Sequence, residues 1–275
     1  MADVRRRLAG NVSGRWFVDD SCIDCDQCRQ IAPEVFAAQG DASVVARQPL
    51  DSLRAAMAQV TCPTASIGGG SKVEVAQAIA ALPERVDGEV HFCGFASEDS
   101  YGGSSYLIRR PDGNVLVDSP RFTEPLVKRI EALGGARWML LTHIDDVADH
   151  AKWRDRLGCE RMMHRAEGMV VEIPVDGLHR LAPDLLVIPT PGHTAGHVVL
   201  LHADRHLFTG DHLWGDGDGL GASRSYCWHS WAEQRTSMEK LRDYSFEWVL
   251  PGHGPRVHKP AVEMRAALEA LIARM

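Results

Sequence analysis

Three cysteines at intervals of three, in Cys22-Ile23-Asp24-Cys25-Asp26-Gln27-Cys28, constrain this chain more tightly than any other feature. They place three thiolates within one compact loop. Thiolates are the soft ligands that iron–sulfur clusters require, and such short spacers let one chain wrap one cluster. A disulfide framework fits poorly, because the seven cysteines are odd in number and Cys93, Cys159 and Cys227 stand isolated. A fourth ligand is needed. After Cys28 and three intervening residues the chain has Ala32 followed by Pro33, which leaves Cys62, followed by Pro63, as the candidate. The competing readings are a zinc site or buried thiols. A zinc knuckle pairs one Cys-x-x-Cys with a second close pair, and none lies near Cys62.

The stretch Cys22–Phe36, taken with Thr61-Cys62-Pro63-Thr64, resembles a single-cluster ferredoxin, and the resemblance covers most of residues 15–70. It implies a [4Fe–4S] cluster on Cys22, Cys25, Cys28 and Cys62. Asp19, Asp20, Asp24 and Asp26 flank these ligands. They are expected either to disfavour the more anionic reduced cluster, lowering its potential, or simply to solvate a loop; both readings stay open.

Beyond a helix-like run over Val73–Leu82, the segment Pro83–Gly88 reads as a linker, with a helix-stopping proline and little apolar content. The domain boundary is placed there, giving 1–88 and 89–275. In the second part, Glu89–Phe95, Ser105–Arg109 and Asn114–Asp118 read as strands, the last two joined by Pro-Asp-Gly. Arg137–Thr142, Leu185–Pro189, His197–His202, His206–Phe208 and Phe246–Leu250 are further strands. Phe122–Leu133, Trp231–Leu241 and Ala261–Met275 are helices. Strands mixed with helices predict an α/β domain whose sheet is covered by helices. Polar, histidine-rich segments recur just after strands, where loops carry chemistry on a rigid frame.

Those segments are His143-Ile144-Asp145-Asp146-Val147-Ala148-Asp149-His150, Pro191-Gly192-His193-Thr194-Ala195-Gly196-His197, Thr209-Gly210-Asp211-His212 and Pro251-Gly252-His253-Gly254. Asp118 ends the hairpin strand before them. Imidazole and carboxylate are good ligands for zinc or ferrous iron, and a carboxylate between two ions can bridge them. Set out in this order, the segments resemble the metallo-β-lactamase superfamily over essentially all of residues 89–275. The resemblance implies a four-layer αββα fold, so the whole chain is expected to be α+β. It also implies one or two divalent ions, with His143 and His193 on the first, Asp149, His150 and His253 on the second, and Asp211 bridging. Asp118 and His197 would be structural. A metal-bound hydroxide would be the attacking group, with no separate nucleophilic residue.

One departure stands out. The family's run is His-x-His-x-Asp-His, whereas here Asp145 holds the second histidine position and two extra residues precede Asp149-His150. Counting forward from the strand keeps His143 as a ligand and offers Asp145 for the missing imidazole, with Asp146 as its competitor. Diiron relatives carry a carboxylate in that place, so the lean from zinc toward iron is slight. After Asp211, the stretch Leu213–Glu233 brings glycines and aromatics, from which Arg224, Trp228 and His229 are the candidates for substrate contact. The tryptophans serve equally as anchors of a helix to the sheet.

A net charge of −7 argues against general affinity for nucleic acid or anionic membrane. No stretch approaches the ~18 apolar residues of a spanning helix, and no apolar run follows Arg5-Arg6-Arg7 as in a signal peptide. The expected protein is soluble and cytoplasmic, which sets β-lactam cleavage aside. The leading expectation is a hydrolase of an ester, thioester, lactone or amide carbonyl in a small molecule, with the cluster in a redox or regulatory role. The alternatives are an oxidoreductase whose cluster feeds electrons to an iron site, and a non-catalytic redox sensor or electron carrier with its own redox partner. Substrate and oligomeric state are not legible.

Overall fold

A computed structural model describes residues 1–275. Compactness divides the chain into two units, Met1–Trp138 with Ala148–Cys159, and Met139–Val147 with Glu160–Met275.

The first unit opens with β1 (Phe17–Val18), the cysteine loop, α1 (Gln27–Ile31) and a hairpin of β2 (Phe36–Gln39) and β3 (Ala42–Val45). α2 (Ser52–Thr61), β4 (Ile67–Gly68) and α3 (Lys72–Ala81) follow. β1 pairs antiparallel with β4, Phe17 opposite Gly68, so the two ends of the cysteine region are zipped together. α1 stops at once because Pro33 disfavours the helical conformation at Ala32, whose φ and ψ are −136° and 66°. α2 starts where the Asp51 side chain accepts from Leu53 N, and α3 starts at a reciprocal capping box of Ser71 and Glu74.

The same unit continues through β5 (Glu84–Asp87), β6 (Val90–Phe92), β7 (Tyr106–Ile108), β8 (Val115–Val117), α4 (Glu124–Ala132) and α5 (His150–Leu157). Here one expectation is corrected. Pro83–Gly88 is not a free linker, because β5 pairs antiparallel with β6, Glu84 opposite Phe92 and Arg85 opposite His91. A charged edge strand gives no apolar signal, yet its main chain pairs as well as any other. β6, β7 and β8 form an antiparallel meander whose residues are all buried, as strands covered on both faces require.

β9 (Trp138–Leu140) leads into the second unit, which contains β10 (Glu160–His164) and β11 (Ile173–Val175), a parallel pair. β12 (His179–Ala182), β13 (Leu185–Pro189), β14 (Val198–His202), β15 (His206–Gly210), the hairpin β16 (Trp214–Asp216)–β17 (Gly219–Gly221), α6 (Trp231–Leu241), β18 (Trp248–Pro251), β19 (Val257–His258) and α7 (Ala261–Arg274) complete it. The main sheet runs β12-β13-β14-β15-β18-β19. Alternate residues Ile188, Val199, Leu201, Leu207 and Val249 pack with Met238 and Leu241 of α6 and Met264, Leu268 and Leu271 of α7. The intervening Val198 and Leu200 are also fully buried, so this sheet is covered on both faces.

Topology explains why distant motifs meet. β14 is antiparallel to both β13 and β15, and β18 is parallel to β15. The carboxyl ends of β13, β15 and β18 therefore share one edge of the sheet. Pro191–His193, Asp211 and Gly252-His253 each lie just past one of those ends. No helix is long and apolar enough to cross a membrane.

Candidate metal centres

The first centre is a small sulfur-lined pocket, walled by Cys22, Cys25, Cys28 and Cys62 together with Val18, Ser43 and Ile67. None of the four is in a disulfide. Burial, reinforced by the neighbouring sulfurs, pushes the Cys25 and Cys28 thiols up to about 12. Thiols held so close and so deep form a site for a positively charged partner that keeps them as thiolates. Main-chain amides already point at them: Ser43 N donates to Cys22 Sγ at 3.4 Å and Ser66 N to Cys62 Sγ at 3.3 Å. The backbone of Gly102, at φ +87°, presses so near Cys25 that a Cβ would sit 2.8 Å from Sγ. The four-thiol donor set, gathered around one pocket, fits an iron–sulfur cluster.

The acidic flank looks different in three dimensions. Arg29 holds both Asp24, at 2.5 Å, and Asp26, at 2.7 Å. Asp20 pairs with Arg6, and Asp19 accepts from Asp3 N and Ser21 N. Three of the four carboxylates are thus paired with arginines, and the fourth is held by hydrogen bonds.

The second centre is built at the strand ends. His143, fully buried, follows β9 and its Nδ1 meets Thr142 Oγ1 at 2.9 Å. His193 follows β13, and its Nδ1 is hydrogen-bonded to Tyr226 O. The two imidazoles stand edge to face, 4.8 Å between centroids. Each Nδ1 is thereby engaged, which turns Nε2 toward the site. His143 Nε2 is buried and has no hydrogen-bond partner. His193 Nε2 lies 3.3 Å from Asp145 Oδ2, and both Nε2 atoms lie 3.8 Å from Asp211 Oδ2. His253 Nδ1 is 2.9 and 3.0 Å from the two oxygens of Asp211.

Two ligand groups result. His143, His193 and Asp211 form one, and Asp146, Asp211 and His253 the other, with donor atoms in each lying within 4.8 Å of one another. Asp211 belongs to both. Two carboxylates this close, Asp146 being buried, repel each other unless a cation lies between them. Gly252 makes the approach possible, since a Cβ there would fall 2.7 Å from Asp146 Oδ2 and 2.8 Å from Asp211 Oδ1. Burial pushes His143 down to about 4, against the pull of Asp211, so its imidazole is neutral and ready to ligate. Burial also acts downward on His193, but the hydrogen bond it donates to Asp145 and the charge of Asp211 outweigh it and raise its pKa. Burial acts upward on Asp211, and the facing histidines, His253 first, overcome it and hold the carboxyl well below the usual range. Carboxylate and imidazole donors in two groups with a shared member fit a pair of divalent ions.

Set against the sequence reading, the structure gathers His143, His193, Asp211 and His253, keeps Asp145 beside His193, and adds Asp146 beside Asp211 and His253. Residues Ile144–Asp146 wind into a 3₁₀ turn, which directs adjacent aspartates to different partners. Asp149 and His150 belong to the other compact unit, where Asp149 accepts from Phe122 N at 2.7 Å and from Lys152 Nζ at 2.6 Å, and His150 opens α5. His197 bonds Thr190 through Nδ1 at 2.9 Å and stacks against His212, a buried structural pair. Sequence reasoning missed Glu167. Its carboxylate accepts from Ile144 N, Thr194 Oγ1 and Gly196 N, fastening the residues that follow both His143 and His193. No periodicity or motif marks it.

Trp228 is 64% exposed, with its ring centroid 6.1 Å from that of His193, and Trp228 N and His229 N both donate to His193 O. Arg224 lies in the exposed turn just before them. The glycines before this stretch form the β16–β17 hairpin, and Trp214 lies over Gly254, where a Cβ would come within 2.7 Å of the ring.

Two family models match this chain: residues 18–69 fit the 4Fe-4S single cluster domain of Ferredoxin I, and residues 132–253 the metallo-beta-lactamase superfamily. The chain joins a single-cluster ferredoxin domain to a metallo-β-lactamase domain. Among curated proteins, it is 27% identical to a beta-lactamase-like protein 2 homolog of Caenorhabditis elegans, over 63% of each chain. It is 33% identical to a hydroxyacylglutathione hydrolase of Rhodospirillum rubrum over 42% of this chain and 49% of that one. The matched stretch thus spans less than two thirds of either relative. Among solved structures, DIM-1 metallo-beta-lactamase superposes with a TM-score of 0.52 at 19% identity, over 70% of this chain and 96% of that one. VMB-1 gives 0.53 at 17% identity, over 70% and 95%. Both likenesses establish the metallo-β-lactamase fold.

Proposed function

We propose that this protein is a binuclear metal-dependent hydrolase that cleaves an ester, thioester, lactone or amide carbonyl of a small molecule. The observation that carries the reading is the pair of ligand groups sharing Asp211 at one edge of the sheet. Divalent cations, when bound there, would supply Lewis acidity and lower the pKa of a bound water toward neutrality. His143, His193 and Asp211 would hold one ion, and Asp146, Asp211 and His253 the other. Thr142 and the Tyr226 carbonyl fix the ring orientation of the two histidines, and Asp145 adds negative charge beside His193. With cations and water as the reacting groups, no side-chain nucleophile is called for, and Cys227 spends its thiol on Gly192 O.

Trp228, Tyr226 and Ile144 expose apolar surface around residues that adjoin His143 and His193. That rim suits a substrate with an apolar acyl group, Arg224 and His229 offering positive or polar contact to its other end. Similarity to a hydroxyacylglutathione hydrolase favours the thioester member of the set. The test is a panel of thioesters, lactones, esters and amides assayed with the zinc-loaded and the iron-loaded protein, both with the cluster in place. Turnover lost in Asp211→Asn and restored by neither metal supports the reading. Absence of turnover for every class with both ions bound refutes it.

A second reading has one observation in its favour. Three aspartates face three histidines in this centre, and carboxylate-rich ligation leans toward iron, hence toward an oxidoreductase fed by the cluster. Iron in both centres of protein purified anaerobically, with electron transfer to the second on reduction of the first, would decide for it.

A further inference from the structure

Arg121 lies in the loop between β8 and α4, well outside residues 18–69, yet its side chain is spent on that segment. Nη2 donates to Val60 O at 3.0 Å, and Nη1 to Pro63 O at 3.3 Å and Cys62 O at 3.5 Å. Nε is buried with no hydrogen-bond partner. The main chain holds the loop from both sides, Arg121 N donating to Phe95 O and Phe122 N to Asp149 Oδ2. A guanidinium placed this deliberately at the end of α2 gains from the helix dipole, but a helix terminus offers only about half a charge.

The charged groups facing it are Cys62 and Asp149. Asp149 is already committed to Phe122 N and Lys152 Nζ. The carbonyls that Arg121 holds bracket Cys62 on both sides, and the cluster that Cys62 would help to hold is, with its four thiolates, an anion whose charge grows on reduction.

We propose that Arg121 is the counter-charge of the cluster, acting at Cys62 to favour the reduced form and raise the midpoint potential. Reduction brings one electron from an external donor and one negative charge, with no proton required. A fixed cation in a partly desolvated position lowers the cost of that added charge. Three of the four acids flanking the cysteine loop do not oppose it strongly, since Arg29 holds Asp24 and Asp26 and Arg6 holds Asp20. This assignment depends on the cluster and not on the hydrolytic reading of the second centre.

The experiment is a dithionite titration of the full-length, anaerobically reconstituted protein, followed by EPR of the reduced cluster. Arg121→Met is expected to shift the reduction equilibrium roughly tenfold toward the oxidised form, about 59 mV lower for one electron. Arg121→Lys, which keeps the charge, retains most of the parent's potential. Asp149→Asn removes the opposing anion and moves the midpoint upward. An unchanged midpoint in Arg121→Met overturns the proposal, as does an Arg121→Lys value as low as that of Arg121→Met. If Arg121→Met fails to take up the cluster, Asp149→Asn decides, and no upward shift there overturns it. A parent protein with no reducible cluster overturns it as well.

Discussion

Asp211→Asn changes one oxygen to an amide nitrogen at the point where the two ligand groups meet, and removes a negative charge from both. A carboxylate 4 Å from a divalent ion at an effective dielectric near 20 interacts by about 8 kcal/mol, twice the value for two unit charges. The Asn oxygen still ligates, and with about half of that energy lost the affinity of each ion falls by about three decades. His143→Ala and His253→Ala act differently, since each removes a ligand from one group only. At a zinc concentration that saturates the parent, the expected zinc content is two ions per chain for the parent and one for either histidine variant. For Asp211→Asn it is none. The assay is elemental analysis after loading and exhaustive dialysis, with cluster iron determined separately on the same samples. Two ions retained by Asp211→Asn would refute the shared-ligand geometry. Loss of both ions in each histidine variant would refute the two separable groups.

Other substitutions test the supports. Gly252→Ala places a methyl group 2.7–2.8 Å from Asp146 and Asp211 oxygens, so chelator competition should show metal affinity down about 10–100-fold while the folded spectrum is kept. Thr142→Val deletes the hydroxyl that orients His143 at 2.9 Å, with a similar loss of about 10–100-fold confined to one ion. Cys62→Ser removes a sulfur that lines the first pocket, and iron and sulfide per chain should fall together while zinc content stays at the parent value. Trp228→Ala exposes the wall beside His193, and kcat/KM should drop for long apolar acyl substrates by about tenfold yet stay near the parent value for acetyl ones, as loss of apolar contact near 1.5 kcal/mol predicts.

How much of this was legible depended on how local each signal is. Trp231–Leu241 and Leu185–Pro189 appear in the structure with the bounds their apolar spacing predicts, because each is bounded by its own turn or cap. β5 was invisible, as charged residues on an edge strand carry no period. His193, Asp211 and His253 were readable because a strand followed by glycine or proline announces a tight turn and an exposed side chain. The place of Asp146 in the 143–150 loop was not. A count along the chain assumes one backbone path, and a 3₁₀ turn with three residues per turn chooses among neighbouring aspartates in a way spacing alone does not encode.

The amino-acid sequence by itself determined the chemistry on offer: four thiols for one cluster, and imidazoles and carboxylates at strand ends for divalent ions. These follow from residue type and short spacing, which survive in any fold that forms the same strands. Only the tertiary structure decided which acid joins His253, that Glu167 fastens the residues beside two ligands, and that Arg121 reaches back to Cys62. Those choices depend on contacts between residues far apart in the chain, where geometry and burial select one partner from many that composition permits.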